Sequence, residues 1–188
     1  DACIHMGPIV TWRGTELAVE YYRRLKAELE ECVARGQYPV PEEKYRLYWD
    51  HIVIWPRIRW LSEFFARHQA LVACSQYTHA WAREFDLARP LESLAETYAL
   101  EFVNRSFQER LELKAALMRR YGVDGFILFS NRSCKPCSFG LYDKRRLLME
   151  RAGIPGIVLE TDMADPRYFN ETQVAERLEM LFEQLEGG

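Results

Sequence analysis

The stretch richest in chemistry is Asn131-Arg132-Ser133-Cys134-Lys135-Pro136-Cys137-Ser138, two thiols separated by two residues and flanked by two cationic side chains. It follows an apolar run and precedes an amphipathic one, so it is expected between a buried strand and a helix N-terminus. A thiolate there is favoured by the helix dipole, by free backbone N–H groups and by Arg132 and Lys135. That setting suits a metal–sulfur ligand or a reactive thiol, and three chemistries stay open. Cys-Lys-Pro-Cys has the spacing and the proline of a thioredoxin-like dithiol, although Ser133 stands where an aromatic is usual. A structural zinc site needs four Cys or His ligands, commonly as two close pairs; only one pair is present, with Cys74 and His79 as candidates to complete it. An iron–sulfur cluster would need cysteines from another domain, because one or two thiols cannot hold a cubane. Beside these stands a plain structural role, two small residues at a helix start.

Other polar residues carry weaker signals. His5, His51, His68 and His79 show no metal-binding spacing and read as surface or loop residues. No GxGxxG and no GxxxxGK[ST] occurs, so those phosphate-binding loops are absent from the sequence. Asp162 and Asp165 could bind a cation, but read as turn and capping residues before the last helix. The aromatics Tyr45, Tyr48, Trp49, Trp55 and Trp60 are expected in a core or an interface. Arg13 reads as a solvated residue ahead of a helix cap.

Composition narrows the class. The 188 residues carry 25 basic and 28 acidic side chains, a net charge of −3, which argues against a basic nucleic-acid-binding face. At 48% hydrophobic and 13% aromatic, the chain can bury a real core. No uncharged apolar run approaches the roughly 18–20 residues that span a bilayer, so no membrane partner is expected. The opening DACIHMGPIV does not read as a signal peptide, and the Asp1 start suggests a processed piece or the later part of a longer polypeptide. Five cysteines, Cys3, Cys32, Cys74, Cys134 and Cys137, are odd in number and irregular in spacing. That pattern favours a reducing cytoplasm over a secreted disulfide framework.

The elements that must position these residues follow from periodicity. Thr15 caps a helix carrying Leu17, Ala18, Tyr21, Tyr22, Leu25, Leu29 and Val33, with Gly36 at its end. Beyond QYPVPEEKYRLYWD, with its prolines and a short helical turn, Ile52-Val53-Ile54-Trp55 reads as a first strand ended by Pro56. The helix IRWLSEFFARH follows, then the strand Ala70–Cys74 and a polar, aromatic loop SQYTHAW. Helices LESLAETYAL and SFQERLELKAALMRRYG precede GFILFS, the clearest strand. After the thiol loop come the helix LYDKRRLLMERAG, the strand IPGIVLE, the loop TDMADPRYFN and the final helix ETQVAERLEMLFEQLE. Strands alternating with helices predict an α/β fold: a parallel sheet of about four strands with helices on both faces, Rossmann-like or flavodoxin-like. An N-terminal helical segment, 1–39, is expected to pack on an α/β domain, 40–188. Ligands of such sheets bind at the carboxyl ends of the strands. The loops after Trp55, Cys74, Ser130 and Glu160 are therefore the candidate site, with Ser75, Tyr77, Asn131, Arg132 and Ser133 as pocket candidates.

The run VDGFILFSNRSCKPCSFGLYDKRRLLMERAGIPGIVLETDMADPRYFNETQVAERLEMLFEQLE resembles the carboxy-terminal part of 2-hydroxyacyl-CoA dehydratase and benzoyl-CoA reductase subunits. The matching elements are VDG in the strand, SCK after it, GIP before the next strand, the D-x-x-D-P-R loop and the Q-V-x-x-R-x-E helix. Upstream, RGTELAVEYYRRLKAELEE and PEEKYRLYWDHIVIWPRIRWLSEF also look like that family. The resemblance implies the C-terminal domain of a longer, oxygen-sensitive subunit. There a [4Fe-4S] cluster is held by three cysteines, two from an earlier domain and one matching Cys134, with one iron left open. Cys137 matches no required ligand, and Cys3, Cys32 and Cys74 are not placed. It further implies a homologous second subunit in a heterodimer and an ATP-hydrolysing iron–sulfur activator. That activator supplies a low-potential electron to an acyl-CoA thioester, giving a ketyl-type radical anion. Dehydratases then eliminate water, and reductases partly reduce an aromatic ring. MGPIVTWRGT, Tyr48-Trp49-Asp50 and Ile54-Trp55 look more like the reductase branch. The alternative is a non-catalytic assembly or thioredoxin-like dithiol module using Cys134 and Cys137.

Overall fold

The computed structural model describes residues 2–187, without the side chains of Ala2 and Cys3, so any role of the Cys3 thiol lies outside the described residues. The chain divides into two compact units, Asp1–Glu42 and Glu43–Gly188.

The first unit is a pair of helices, α1 (Ala2–Thr11) and α2 (Glu16–Ala34). As expected, Thr15 caps α2, its side-chain oxygen accepting from the Ala18 N–H, and Gly36 follows the last turn at φ +65°. Tyr22 ties the helices together: its hydroxyl donates to the His5 carbonyl at 2.6 Å and accepts from the Ile9 N–H at 3.0 Å. His5 pairs with the Tyr21 hydroxyl at 2.7 Å.

The second unit is a four-stranded parallel sheet, β1 (Tyr45–Asp50), β2 (Ala70–Ser75), β3 (Gly125–Asn131) and β4 (Gly156–Thr161), in the order β2-β1-β3-β4. It is wrapped by α3 (Ile58–Arg67), α4 (Gln76–Ala80), α5 (Pro90–Ala99), α6 (Phe107–Arg120), α7 (Lys135–Ser138), α8 (Leu141–Ala152) and α9 (Glu171–Glu186). The α/β reading with helices on both faces holds, and the strand order is the flavodoxin-like one. Strand alternation sorts the core into two layers. Leu47, Trp49, Ile127, Phe129, Ile157 and Leu159 face α3 and α9, where Phe64, Leu178, Leu181 and Phe182 cover them. Tyr48, Phe126, Leu128 and Val158 face α6 and α8, under Leu111, Ala115, Met118 and Leu148. At the start of β4 the backbone passes against the Phe126 ring, and a Cβ on Gly156 would stand 2.2 Å from it, so only glycine fits. The outer edge of β4 is closed by arginines, Arg145 and Arg177 donating to the carbonyls of Gly156 and Val158. No helix among the described residues is long and apolar enough to cross a membrane.

Two local expectations are corrected. The first strand is Tyr45–Asp50, within the segment read as a helical turn, and Ile52–Trp55 is not a strand. The polar ends of Tyr-Arg-Leu-Tyr-Trp-Asp disguise a central strand. Arg46 opens it at the surface, its N–H donating to Asp124 at 2.7 Å, while Asp50 closes it buried against a lysine. Pairing on both sides supplies what its apolar content lacks. The segment SQYTHAW is not a loop throughout, because Ser75 caps the short helix α4, accepting from the Tyr77 N–H at 3.0 Å.

Candidate metal centre at the switch point

β1 and β3 are neighbours, but the chain leaves them in opposite directions, β1 toward β2 and β3 toward β4. The crevice between their carboxyl ends is the topological switch point, where doubly wound sheets bind ligands. The first of the four candidate loops is therefore the one after Asp50, not the one after Trp55.

Immediately after β1 the backbone reverses at His51, whose φ of +72° is uncommon for a residue carrying an imidazole. The ring is 8% exposed, lies edge-on to Phe129 at 5.9 Å, and its Nδ1 is buried with no hydrogen-bond partner among the described residues. After β3 the thiol loop is pinned by Asn131, which is fully buried. Its carbonyl accepts from the Cys134 N–H at 3.0 Å and from the Ser138 hydroxyl at 2.8 Å. Its side-chain oxygen accepts from the Ser133 and Met163 N–H groups, both at 3.3 Å, while its Nδ2 has no partner among the described residues. Asp162 braces the loop from β4's side, accepting from the Ser133 N–H at 3.0 Å and from the Ser133 hydroxyl. The same carboxylate accepts from the N–H groups of Ala164 at 3.0 Å and Asp165 at 2.9 Å. Burial opposes ionisation of Asp162, but these donors, Ser133 foremost, hold its carboxyl at about 2. Asp162 and Asp165 are thus turn and cap residues, as expected, and Asp162 also links two of the strand-end loops.

With the loop so held, the Cys134 and Cys137 thiols and an imidazole nitrogen of His51 all lie within 4.8 Å of one another. Both thiols are half-buried. Burial, reinforced by the adjacent Cys134, pushes the Cys137 thiol up to about 12, while burial lowers the His51 imidazole and so favours its neutral form. The expected helix-dipole assistance is corrected, because the helix that follows Cys134 is a single turn, α7, stopped by extended Phe139 and left-handed Gly140. The long helix α8 starts only at Leu141. Nor do both flanking cations attend the thiols: Arg132 stacks on the Tyr168 ring at 4.4 Å and Lys135 is exposed.

Positive charge comes instead from beneath. Lys114 of α6 donates to Asp50 and to Gln76, and Tyr48 donates to Asp50 at 3.1 Å, all four groups buried. Burial disfavours the Asp50 carboxylate, yet the Lys114 ammonium more than offsets this and lowers its pKa. Lys144 of α8, 2% exposed, donates to the Cys137 carbonyl at 3.1 Å, and burial brings its amine down to about 8. Two buried lysines thus face one carboxylate below the thiol pair.

Of the pocket candidates, Asn131, Arg132 and Ser133 share the thiol loop. Ser75 is buried and caps α4, and Tyr77 is half-buried in that helix. Cys74 and His79 are not among the converging donors; Cys74 is buried, and desolvation pushes its thiol up to about 12. Sequence reading missed His51, Asp50, Lys114 and Lys144. His51 carries no spacing signal, since its partners Cys134 and Cys137 lie far along the chain, beyond two further strands.

A flavodoxin-like sheet with sulfur and nitrogen donors gathered at its switch point places the chain in the class of doubly wound α/β domains, whose ligands, where they have them, bind outside the strand ends. Sequence comparison makes this specific. Residues 1–185 match the family described as 2-hydroxyglutaryl-CoA dehydratase, D-component, and the chain belongs to that family. It is 34% identical to one of the subunits of benzoyl-CoA reductase from Thauera aromatica, over 97% of this chain and 45% of that protein. It is 28% identical to the alpha subunit of lactoyl-CoA dehydratase from Anaerotignum propionicum, over 99% of the chain and 44% of that protein. With the alpha subunit of (R)-2-hydroxyglutaryl-CoA dehydratase from Acidaminococcus fermentans it shares 30% identity, over 99% of the chain and 39% of that protein. The chain therefore spans less than half the length of these relatives.

Proposed function

We propose that this chain is the carboxy-terminal domain of an iron–sulfur subunit of an acyl-CoA reductase or 2-hydroxyacyl-CoA dehydratase, working in the cytoplasm. In this reading Cys134 supplies one protein ligand of a [4Fe-4S] cluster whose other cysteines belong to sequence outside these 188 residues. The observation that carries it is the Cys134 thiol itself, half-buried at the switch point with a second thiol and an unsatisfied imidazole beside it. The donor set fits: soft thiolates select iron–sulfur clusters, and a half-buried thiol can meet a group arriving from another domain.

Bound there, a cluster supplies low-potential one-electron chemistry. The work of this chain is positional. Asn131 and Asp162 pin the thiol loop through its backbone and Ser133, which fixes the place of the sulfur. The buried Lys114 and Lys144 provide fixed positive charge below an anionic group, at no reorganisation cost during electron transfer. Ser75, Tyr77, Asn131, Arg132 and Ser133 are candidates for the wall of an acyl pocket. The partners in this reading are a homologous second subunit, an ATP-hydrolysing iron–sulfur activator and an acyl-CoA thioester.

Anaerobic reconstitution of the longer subunit with iron and sulfide tests the reading. A brown protein is expected, with less iron and less activity in Cys134→Ala; unchanged iron and activity in that variant overturn it. A second reading, a dithiol or assembly module, is favoured by the closeness of Cys134 and Cys137. A reversible two-electron Cys134–Cys137 disulfide in a longer subunit that holds no iron would establish it instead.

A further inference from the structure

The geometry points to a mononuclear site for a soft divalent ion, zinc or ferrous iron, built by His51, Cys134 and Cys137 of this chain alone. The inference needs no residue outside the chain and stands or falls separately from the cluster reading. A tetrahedral ion with sulfur at ~2.3 Å and nitrogen at ~2.0–2.1 Å keeps its ligand atoms ~3.5–3.8 Å apart. Three donors already within 4.8 Å of one another need only small side-chain rotations to close on one centre. A cubane draws one protein ligand to each iron, so a single corner leaves two of these three donors unused. The imidazole supplies the independent observation: it is 8% exposed, and its Nδ1 is buried with no hydrogen-bond partner among the described residues. Leaving a buried nitrogen unsatisfied is costly, and metal coordination of the ring accounts for such an arrangement.

The donor chemistry is consistent with a divalent ion. Binding M²⁺ displaces one proton from each thiol and none from a neutral imidazole, leaving a neutral Cys₂His centre and releasing two protons. Three protein ligands leave a fourth position for water or an added ligand, as in zinc sites that exchange ligands. An ion held here occupies the Cys134 thiol, so the ion-loaded chain and a cluster-loaded subunit are alternative states.

Cobalt(II) is the probe. Titrating the reduced, metal-free 188-residue chain anaerobically is expected to saturate at one ion per chain. It should give a thiolate-to-cobalt charge-transfer band, strong visible bands of a tetrahedral ion and release of two protons; zinc(II) should abolish the bands by displacing cobalt, with no further proton exchange. Cys137→Ser and His51→Gln, neither of them a ligand in the cluster reading, should each weaken binding by more than the about 10- to 100-fold typical of losing an outer-shell partner. Cys32→Ser, outside the site, should leave the titration unchanged, with far-UV circular dichroism confirming folding throughout. Absence of saturable binding overturns the inference, as does a cobalt affinity unchanged by Cys137→Ser or a charge-transfer band lost in Cys32→Ser. Iron content of the longer subunit's Cys134→Ala variant reports on the cluster reading alone.

Discussion

The two faces of the sheet use the same four strands and solve different problems. Under α3 and α9 the core is aliphatic and aromatic, with Trp49, Phe64, Phe129 and Phe182 among its largest members. Under α6 and α8 the apolar layer is interrupted near the strand ends by Asp50, Gln76, Lys114 and Lys144. Burying a side chain such as Phe182 is favourable without a partner. Burying Asp50 or Lys114 costs several kcal/mol per ion and is offset only by excellent pairing. The second face thus bears a cost that stability alone does not demand, and it does so directly below the converging thiols and imidazole. Stability and chemistry are divided between the faces.

The sharpest way to break that division is to damage each face and attempt a rescue. Phe182→Ala should cost about 3–5 kcal/mol in denaturant unfolding, as large aromatic truncations do. Asp50→Ala should cost a similar ~3–5 kcal/mol, for another reason: it strands two buried ammonium groups. Rescue separates them. Asp50→Leu combined with Lys114→Met should recover most of the loss, since buried pairs are often replaceable by apolar residues. If the double variant remains as unstable as Asp50→Ala, the charges on this face serve the fold and the comparison fails.

The division also explains what was legible in the sequence. The strands GFILFS and IPGIVLE announce themselves because burial on both sides makes a parallel strand a continuous apolar run. β1 did not, because its ends carry Arg46 and Asp50, and Asp50 becomes tolerable only through Lys114, 64 residues away. His51 was hidden for the same reason, its meaning residing in a +72° φ and in thiols supplied by another crossover. α4 escaped the reading as well, because a single short helix behind Ser75 carries too few periodic residues to stand out from the polar loop SQYTHAW. Local pattern encodes the apolar face well and the polar face poorly, because the polar face is assembled from long-range pairs.

A smaller effect sharpens the picture at the strand-end loops. Asp162→Asn keeps the shape and removes the charge that gathers the donors of Ser133, Ala164 and Asp165. At neutral pH the loss should be about 1–3 kcal/mol, the range for hydrogen bonds to a charged group. The carboxyl is held at about 2 in the folded chain against an ordinary 3.8. The folded state therefore binds fewer protons than the unfolded one between those values. Its contribution is complete above pH ~4 and is lost as pH falls toward ~2. The difference between wild type and Asp162→Asn in urea unfolding should narrow across that window; a constant difference would mean that the carboxylate's charge is not what holds the loop.

The smallest expected effect concerns the helix that brings Lys114 to the site. Ser106 and Glu109 form a reciprocal capping box at the start of α6, the Ser106 Oγ accepting from the Glu109 N–H at 3.3 Å and the Glu109 carboxylate from the Ser106 N–H at 2.8 Å. Ser106→Ala should cost about 1 kcal/mol and Ser106→Gly only a few tenths, as at other N-caps. Amide exchange locates the effect. The cap lies about two turns before Lys114, so protection should fall in the first turn of α6 and persist around Lys114, whose ammonium is anchored independently by Asp50 and Gln76. Loss of protection along the whole helix would mean instead that the buried charges depend on α6 for their position and do not fix it.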